Sequence, residues 1–301
     1  MILAILLASL ATPAAQPALP NGWSLHKLTL VNAPEGLACT ATHAYVRNWS
    51  GDVAVWDGAL WSSLPRQTES AYGRTLAASP DGHVFLEAGA GIREWDGTTW
   101  RAHSLDRWDG DVDAQLIAPS ATEIYYVGNG RIARRTTTGF GTYSAGTWRA
   151  LTAVALVGDD LWVGGQGGTI LQLHQSTWTR LDTQIDRWIR RILALAPNDV
   201  WALADGETYN RSTVLHWTGR SWLRSDQGLP EEVAVNSIGG AVDAFYAVGD
   251  FGLMRWSGTT WQPELGSAAL GEGYHALDEV CATDRHIFVT DRGGHVLTRA
   301  R

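Results

Sequence analysis

Seven copies of a unit of about forty residues, each reading as four short strands, predict an all-β chain. The architecture expected is a seven-bladed β-propeller with four antiparallel strands per blade and an N-terminal strand closing the last blade. Three observations carry the prediction. The tetrapeptide G-x-x-W or a close variant ends at Trp23, Trp61, Trp100, Trp148, Trp178, Trp222 and Trp261. Between these copies runs a second mark, a His or acid, one residue, then an aromatic: His43/Tyr45, His83/Phe85, Glu123/Tyr125, Asp160/Trp162, Asp199/Trp201, Asp243/Phe245 and His286/Phe288. Finally, the two ends of the chain fit one another: the last unit stops at HVLTRAR, three strands into a blade, while NGWSLHKL near the start matches the fourth-strand sequences GTTWRAHSL and GTTWQPEL.

The elements follow in order. Residues 1–20 begin with an apolar run from Ile2 to Leu10 and pass into small residues and prolines, the order of an exported leader cleaved after Ala11, Ala14 or Ala15. Residues 21–301 then form a single propeller domain. In the second unit TLAAS is the innermost strand A, HVFLEA strand B, IREW strand C and TWRAHS strand D. The Asp96-Gly97 pair between the last two predicts a tight primed turn with positive φ at both central positions. Four units extend the tetrapeptide to W-x-G-x-x-W, at Trp56/Trp61, Trp95/Trp100, Trp217/Trp222 and Trp256/Trp261; Tyr143 and Leu173 take the first place in two others, and Gln175 replaces the glycine in the fourth blade. Joining the N-terminal strand to the last blade hides two sheet edges that would otherwise invite aggregation.

Composition narrows the function classes. Of the 301 residues 45% are hydrophobic and 18% charged, as in a folded domain, and a formal charge of −8 gives no general attraction to nucleic acid or anionic membranes. Lys27 is the single lysine, so arginine supplies the positive charge, a bias of high-GC bacterial genomes. No segment is long and apolar enough to span a membrane. The expected location is periplasmic or extracellular, as a monomer.

The sites with chemistry stand outside the repeat. Trp49, Trp108 and Trp188 are the tryptophans that occupy no repeat position, and all three fall on the face formed by the B–C and D–A connections. Asp106-Arg107-Trp108 and Asp186-Arg187-Trp188 are identical triplets, suited to sugar stacking or an aromatic protein contact; the competing reading has both rings capping the inter-blade core. Spacing adds a notch. From the strand B aromatic to the next G-x-x-W tryptophan lie 23 residues in blade 3 and 21 in blade 5, against 15 or 16 in blades 1, 2, 4 and 6. From Trp148 to Trp162 lie 14, against 22 to 27 elsewhere. Long B–C loops in blades 3 and 5 would therefore flank a short entry to blade 4, with Arg131, Arg134, Arg135, Phe140, Glu207, Tyr209 and Arg211 on the rim. Loop drift is the alternative.

Asp109, Asp111 and Asp113 alternate as calcium ligands do, but lack the following glycine and the distal glutamate, so a solvated acidic loop competes with a metal site. His43, His83 and His286 occupy the repeat position at the start of strand B and are too far apart, one per blade, to share a zinc ion. Cys39 and Cys281 are the only cysteines, in blades that meet at the closure. An exported chain favours a disulfide between them. Alignment on the strand B aromatic opposes it, because Cys281 matches Ala38 and a one-residue slip turns the side chain to the other face. No cofactor motif and no nucleophile elbow is present.

The G-x-x-W tail resembles the Asp-box repeats of sialidase-like propellers. The whole pattern resembles the W-x-G-x-x-W and kelch-like propellers of exported bacterial proteins. The resemblance covers the chain beyond the leader and implies the propeller fold. A sialidase-like activity would imply three converging arginines, a tyrosine with a carboxylate partner and an aspartate acid, and no motif places them here. The function expected is a non-enzymatic binding scaffold that recognises a protein or peptide through its loop face. A lectin-like carbohydrate-binding propeller comes second and a glycosidase or lyase third.

Overall fold

The computed structural model describes residues 19–301 apart from 29, 31, 68–72, 90, 106–113, 129, 137–138, 209 and 272–275. Seven antiparallel sheets of four strands stand in a ring. Strands A to D, from the axis outward, run Pro34–Cys39, Ala44–Asn48, Val53–Trp56 and Trp61–Ser63 in blade 1, and Leu76–Ala78, Val84–Ala88, Gly91–Trp95 and Trp100–Ser104 in blade 2. Blade 3 is Gln115–Ile117, Tyr125–Gly128, Arg131–Thr136 and Gly139–Tyr143; blade 4 is Leu151–Val157, Asp160–Gly165, Thr169–His174 and Thr177–Leu181. Blade 5 is Ile189–Ala196, Asp199–Asp205, Ser212–Trp217 and Trp222–Arg224; blade 6 is Val235–Ala241, Ala244–Gly249, Gly252–Trp256 and Trp261–Gly266. Blade 7 takes Leu277–Ala282, His286–Asp291 and His295–Ala300 from the end of the chain and its outermost strand, Ser24–Lys27, from the start. Ser24 lies opposite Thr298 and Lys27 opposite His295. No helix among the described residues is long and apolar enough to cross a membrane.

Each hydrophobic cluster joins two neighbouring blades. The two sequence marks are the two halves of that joint. The tryptophans of W-x-G-x-x-W pair across strands C and D, Trp56 with Trp61 and Trp256 with Trp261, with ring centroids 5.7 and 5.3 Å apart. The second of each pair then packs on the strand B aromatic of the preceding blade: Trp61 on Phe288 at 5.9 Å, Trp222 on Trp162 at 6.0 Å and Trp261 on Trp201 at 6.3 Å. In these joints one blade supplies one mark and its neighbour the other; at the blade 6–7 joint Trp23 packs on Tyr246, next to the marked Phe245, at 6.1 Å. Edge and tilted contacts between large rings supply much of the buried apolar area.

The C–D connections are four-residue loops in blades 1, 2, 5 and 6, rather than two-residue primed turns. In blade 2 only Gly97 takes positive φ, at 92°. Asp96 instead accepts backbone N–H bonds from Thr98 at 2.9 Å and Thr99 at 2.8 Å, and these bonds, with the Thr98 hydroxyl, hold its carboxyl well below the usual range. Blade 4, where Gln175 and Ser176 stand between His174 and Thr177, does make the short turn, with both central residues at positive φ, 45° and 68°.

Blade 3 departs from the sequence reading. Its C–D pair is Arg135 opposite Phe140, the positions that Trp56 and Trp61 hold in blade 1. Phe140 packs in the cluster around Phe85, and the Arg135 guanidinium lies over the Phe85 ring at 6.0 Å. Trp148 is therefore not a blade position; it stands beyond strand D, 85% exposed. The B–C connection is only residues 129–130, so no long loop rises there. With Phe140 as the mark, the two irregular gaps become 15 residues from Tyr125 and 22 to Trp162, inside the range of the other blades.

Cys39 and Cys281 are joined in a disulfide, Cα–Cα 5.8 Å, between the innermost strands of blades 1 and 7. The one-residue offset is what the ring requires. Blades pack the front face of one on the back face of the next, so side chains that meet across the joint lie at opposite parity along their strands. Ala38 pairs with Tyr45 and Cys281 with Phe288, which leaves Cys39 facing blade 7.

Candidate functional site on the loop face

Two faces result from this topology: a loop face of B–C and D–A connections and a turn face of A–B and C–D connections. The predicted rim divides between them. Arg134 and Arg135 lie toward the turn end of strand C, and Phe140 is in the blade 2–3 core. Arg134 pairs with Glu123 at 3.4 Å and lies over the Tyr125 ring at 5.4 Å. Arg135 grips Glu94 with both Nη atoms at 3.0 Å. Arg131 opens strand C at the loop end. Blade 5 does carry an enlarged B–C connection, residues 206–211, in which exposed Glu207 is 3.8 Å from Arg224 and half-buried Arg211 is 3.3 Å from Glu231. Arg107, Trp108, the aspartates at 109, 111 and 113, and Tyr209 lie outside the described residues. Among the described residues no group of three His, Cys, Asp or Glu could hold a metal.

Trp188 is on the loop face, half-buried, immediately before strand A of blade 5. Arg190 covers its ring at 5.8 Å, and exposed Arg187 lies 3.6 Å from Asp186. Sequence reading missed its counterpart. In the preceding D–A connection the Arg149 guanidinium lies over the Trp148 ring at 5.3 Å. Between these two arginine–tryptophan pairs sits the B–C turn of blade 4. Arg149 Nη1 donates to the carbonyls of Gln166 at 3.4 Å and Gly167 at 3.5 Å, and Gly168 N donates to the Arg187 carbonyl at 2.6 Å. Only glycine fits: a Cβ on Gly167 would lie 1.6 Å from Arg149 Nη1, and one on Gly168 2.0 Å from the Ile185 carbonyl, both at positive φ. The turn thus clamps both connections into one surface. Trp49, 41% exposed, stands on the same face in the B–C turn of blade 1.

The surface leads to the central channel, a cavity of about 670 Å³ lined by strand A of every blade. Five of those strands carry a bulge at the same place, where the extra residue is Glu35, Thr152, Arg190, Asn236 or Asp278. Bulges re-aim side chains, and here they bring polar groups to the channel mouth. Some tie the ring together: Thr152 Oγ1 donates to the Ile189 carbonyl at 3.1 Å and Asn236 Nδ2 to the Leu277 carbonyl at 2.8 Å. The charged ones pair, Arg74 with Glu35 at 3.1 Å, Arg190 with Asp205 at 2.9 Å and Arg292 with Asp278 at 2.9 Å. Deeper, Arg191 of blade 5 meets Glu279 of blade 7, which also accepts from Ser237 Oγ at 3.2 Å. Burial pushes the Glu279 carboxyl up against the opposing pull of Arg191.

No family model matches the chain and no curated protein matches it. Solved structures are similar to it throughout their length, and they define the class: a seven-bladed β-propeller. YCF48 bound to D1 peptide is 13% identical, with TM-score 0.70, covering 95% of this chain and 99% of that one. A catalytically inactive virginiamycin B lyase from Staphylococcus aureus with quinupristin is 14% identical, with TM-score 0.74, covering 93% and 99%. The WD40 β-propeller domain of Doa1 is 8% identical, with TM-score 0.72, covering 92% and 97%. At such identities the likeness is one of fold.

Proposed function

We propose that this chain is an exported binding propeller, residues 21–301 following a leader of 1–20, that takes a protein or peptide partner on the loop face of blades 4 and 5. The observation that carries the reading is Trp148, a large ring 85% exposed beside Arg149 on a connection held rigid by its neighbour turn. Tryptophan and arginine are the residue types that dominate binding energy at interfaces. Arg149 bonds backbone carbonyls and Arg187 has only its exposed chain neighbour Asp186, 3.6 Å away, as ion-pair partner, so an acidic segment of the partner suits the patch. The likeness to YCF48 bound to D1 peptide supports a peptide-binding use of the fold, and the Cys39–Cys281 bridge supports an oxidising compartment. The exposed Trp148 ring also suits sugar stacking, which makes carbohydrate the second reading.

The test is to select peptides from a phage-displayed library on the mature protein and measure them against wild type and Trp148→Ala/Trp188→Ala, with a glycan array alongside. The reading predicts a loss in affinity of at least about thirtyfold, the equivalent of roughly 2 kcal/mol, at unchanged melting temperature. Selected peptides that bind both proteins equally would refute it. Glycan binding that the double variant loses would establish the lectin reading in its place.

A further inference from the structure

At the register of Arg191 and Glu279, the first position after the strand A bulge, the other five blades carry Gly36, Thr75, Gln115, Ala153 and Ser237. Charge at this depth of the channel is thus no part of the repeat. It occurs in blades 5 and 7, which flank blade 6, and the pair reaches across that blade beside its Ser237. A half-buried ion pair of this kind gives little or no net stability over apolar residues of similar volume, so the ring's stability does not account for it. Arg191 engages Glu279 through Nη1; its other N–H donors have no protein partner among the described residues, although the side chain is only 23% exposed. A guanidinium carries five donors in a fork that fits a carboxylate. Arg191 lines a cavity of about 670 Å³, a volume typical of small-ligand sites. Around the same cavity Leu37, Ala77, Ala155, Leu193 and Val280 contribute apolar wall.

We infer that the central channel is a binding site for a free carboxylate carried on an apolar body, with Arg191 as its anchor and Glu279 as the internal carboxylate that competes for the same guanidinium. The ligand is a small aliphatic acid or the C-terminus of a peptide chain, which share this chemistry. The site is independent of the loop-face partner: it stands on the channel residues alone.

The experiment is calorimetric titration of the mature protein with N-acetyl-L-leucine and with N-acetyl-L-leucinamide at millimolar concentration. The free acid binds wild type, and the amide at least about tenfold more weakly, since it cannot form the charged pair. Glu279→Gln removes the competitor and tightens the acid about tenfold, while Arg191→Gln abolishes binding. Because Arg191→Gln leaves a buried carboxylate unpaired, the charge-neutral Arg191→Gln/Glu279→Gln double variant, with its melt checked, serves as the folded non-binder. An acetylated pentapeptide ending in leucine, free or amidated, separates the sources: tighter binding than the amino acid assigns a chain terminus, and equal or weaker binding a small acid. Silence from both wild type and Glu279→Gln, or binding of the acid that survives in the double variant, would overturn the inference.

Discussion

Removing the ring's covalent clasp, by Cys39→Ala/Cys281→Ala, gives the sharpest stability prediction. The bridge joins residues 242 apart, and closing so long a loop in the unfolded chain costs about 5 kcal/mol of entropy by the chain-closure expression. Non-covalent closure remains in the variant, because Ser24–Lys27 still pairs with His295–Ala300 and Trp23 still packs on Tyr246 at 6.1 Å. The native ring therefore persists while the unfolded chain gains freedom, and the whole entropic difference appears in stability. For a chain of this size about 2 °C accompany each kcal/mol, so the calorimetric melt should fall by about 10 °C. Wild type in reductant should show the same shift, which separates the bond from the packing of the sulfurs. A shift below about 2 °C in both would refute the reasoning, since it would mean that the bond restrains nothing the unfolded chain gains.

Other consequences are more local. Trp162, fully buried between blades 4 and 5, should lose about 3–5 kcal/mol on replacement by alanine in urea unfolding, whereas Trp148→Ala should stay within about 0.5 kcal/mol. At the blade 2–3 joint Glu94 accepts from Arg135, from His83 at 2.8 Å and from His103 at 2.6 Å. Burial alone would raise its pKa, but these bonds outweigh it and hold the carboxyl below its ordinary value. A depressed native pKa adds stability above the unfolded value of about 4.3 and loses it as pH falls through the native one. Glu94→Gln should therefore be less stable than wild type at neutral pH, with the gap closing in acid; a gap independent of pH would contradict the assignment.

The fold was legible because its energetics repeat. Each blade needs one ring at the start of strand D and one in strand B of its neighbour, and that need writes Trp61 and Phe288, or Trp222 and Trp162, into the sequence at fixed spacing. Blade 3 was misread because Arg135 and Phe140 meet the same need with different residue types, Arg135 finding Glu94 as partner while Phe140 fills the apolar place. G-T-W at 146–148 then mimicked the missing mark, which hid the exposed Trp148 and created an apparent notch. Glycine offered a clue: the Thr-Gly-Phe that ends at Phe140 restores regular spacing on both sides. The channel site was not legible at all, because Arg191 and Glu279 lie 88 residues apart and are brought together only by the curvature of the ring. The disulfide was half legible, since the cysteine pair was evident but the face-to-face packing that reverses parity belongs to the ring as a whole.

Recognition of a partner is proposed for the loop face of blades 4 and 5. The most direct measurement is crosslinking mass spectrometry with a selected peptide that carries a photoreactive residue, bound to the unmodified mature protein. Recognition on this face places the crosslinks on residues 144–150 and 182–190. Crosslinks confined to the opposite face, at the C–D loops of residues 96–99, 218–221 or 257–260, would contradict it.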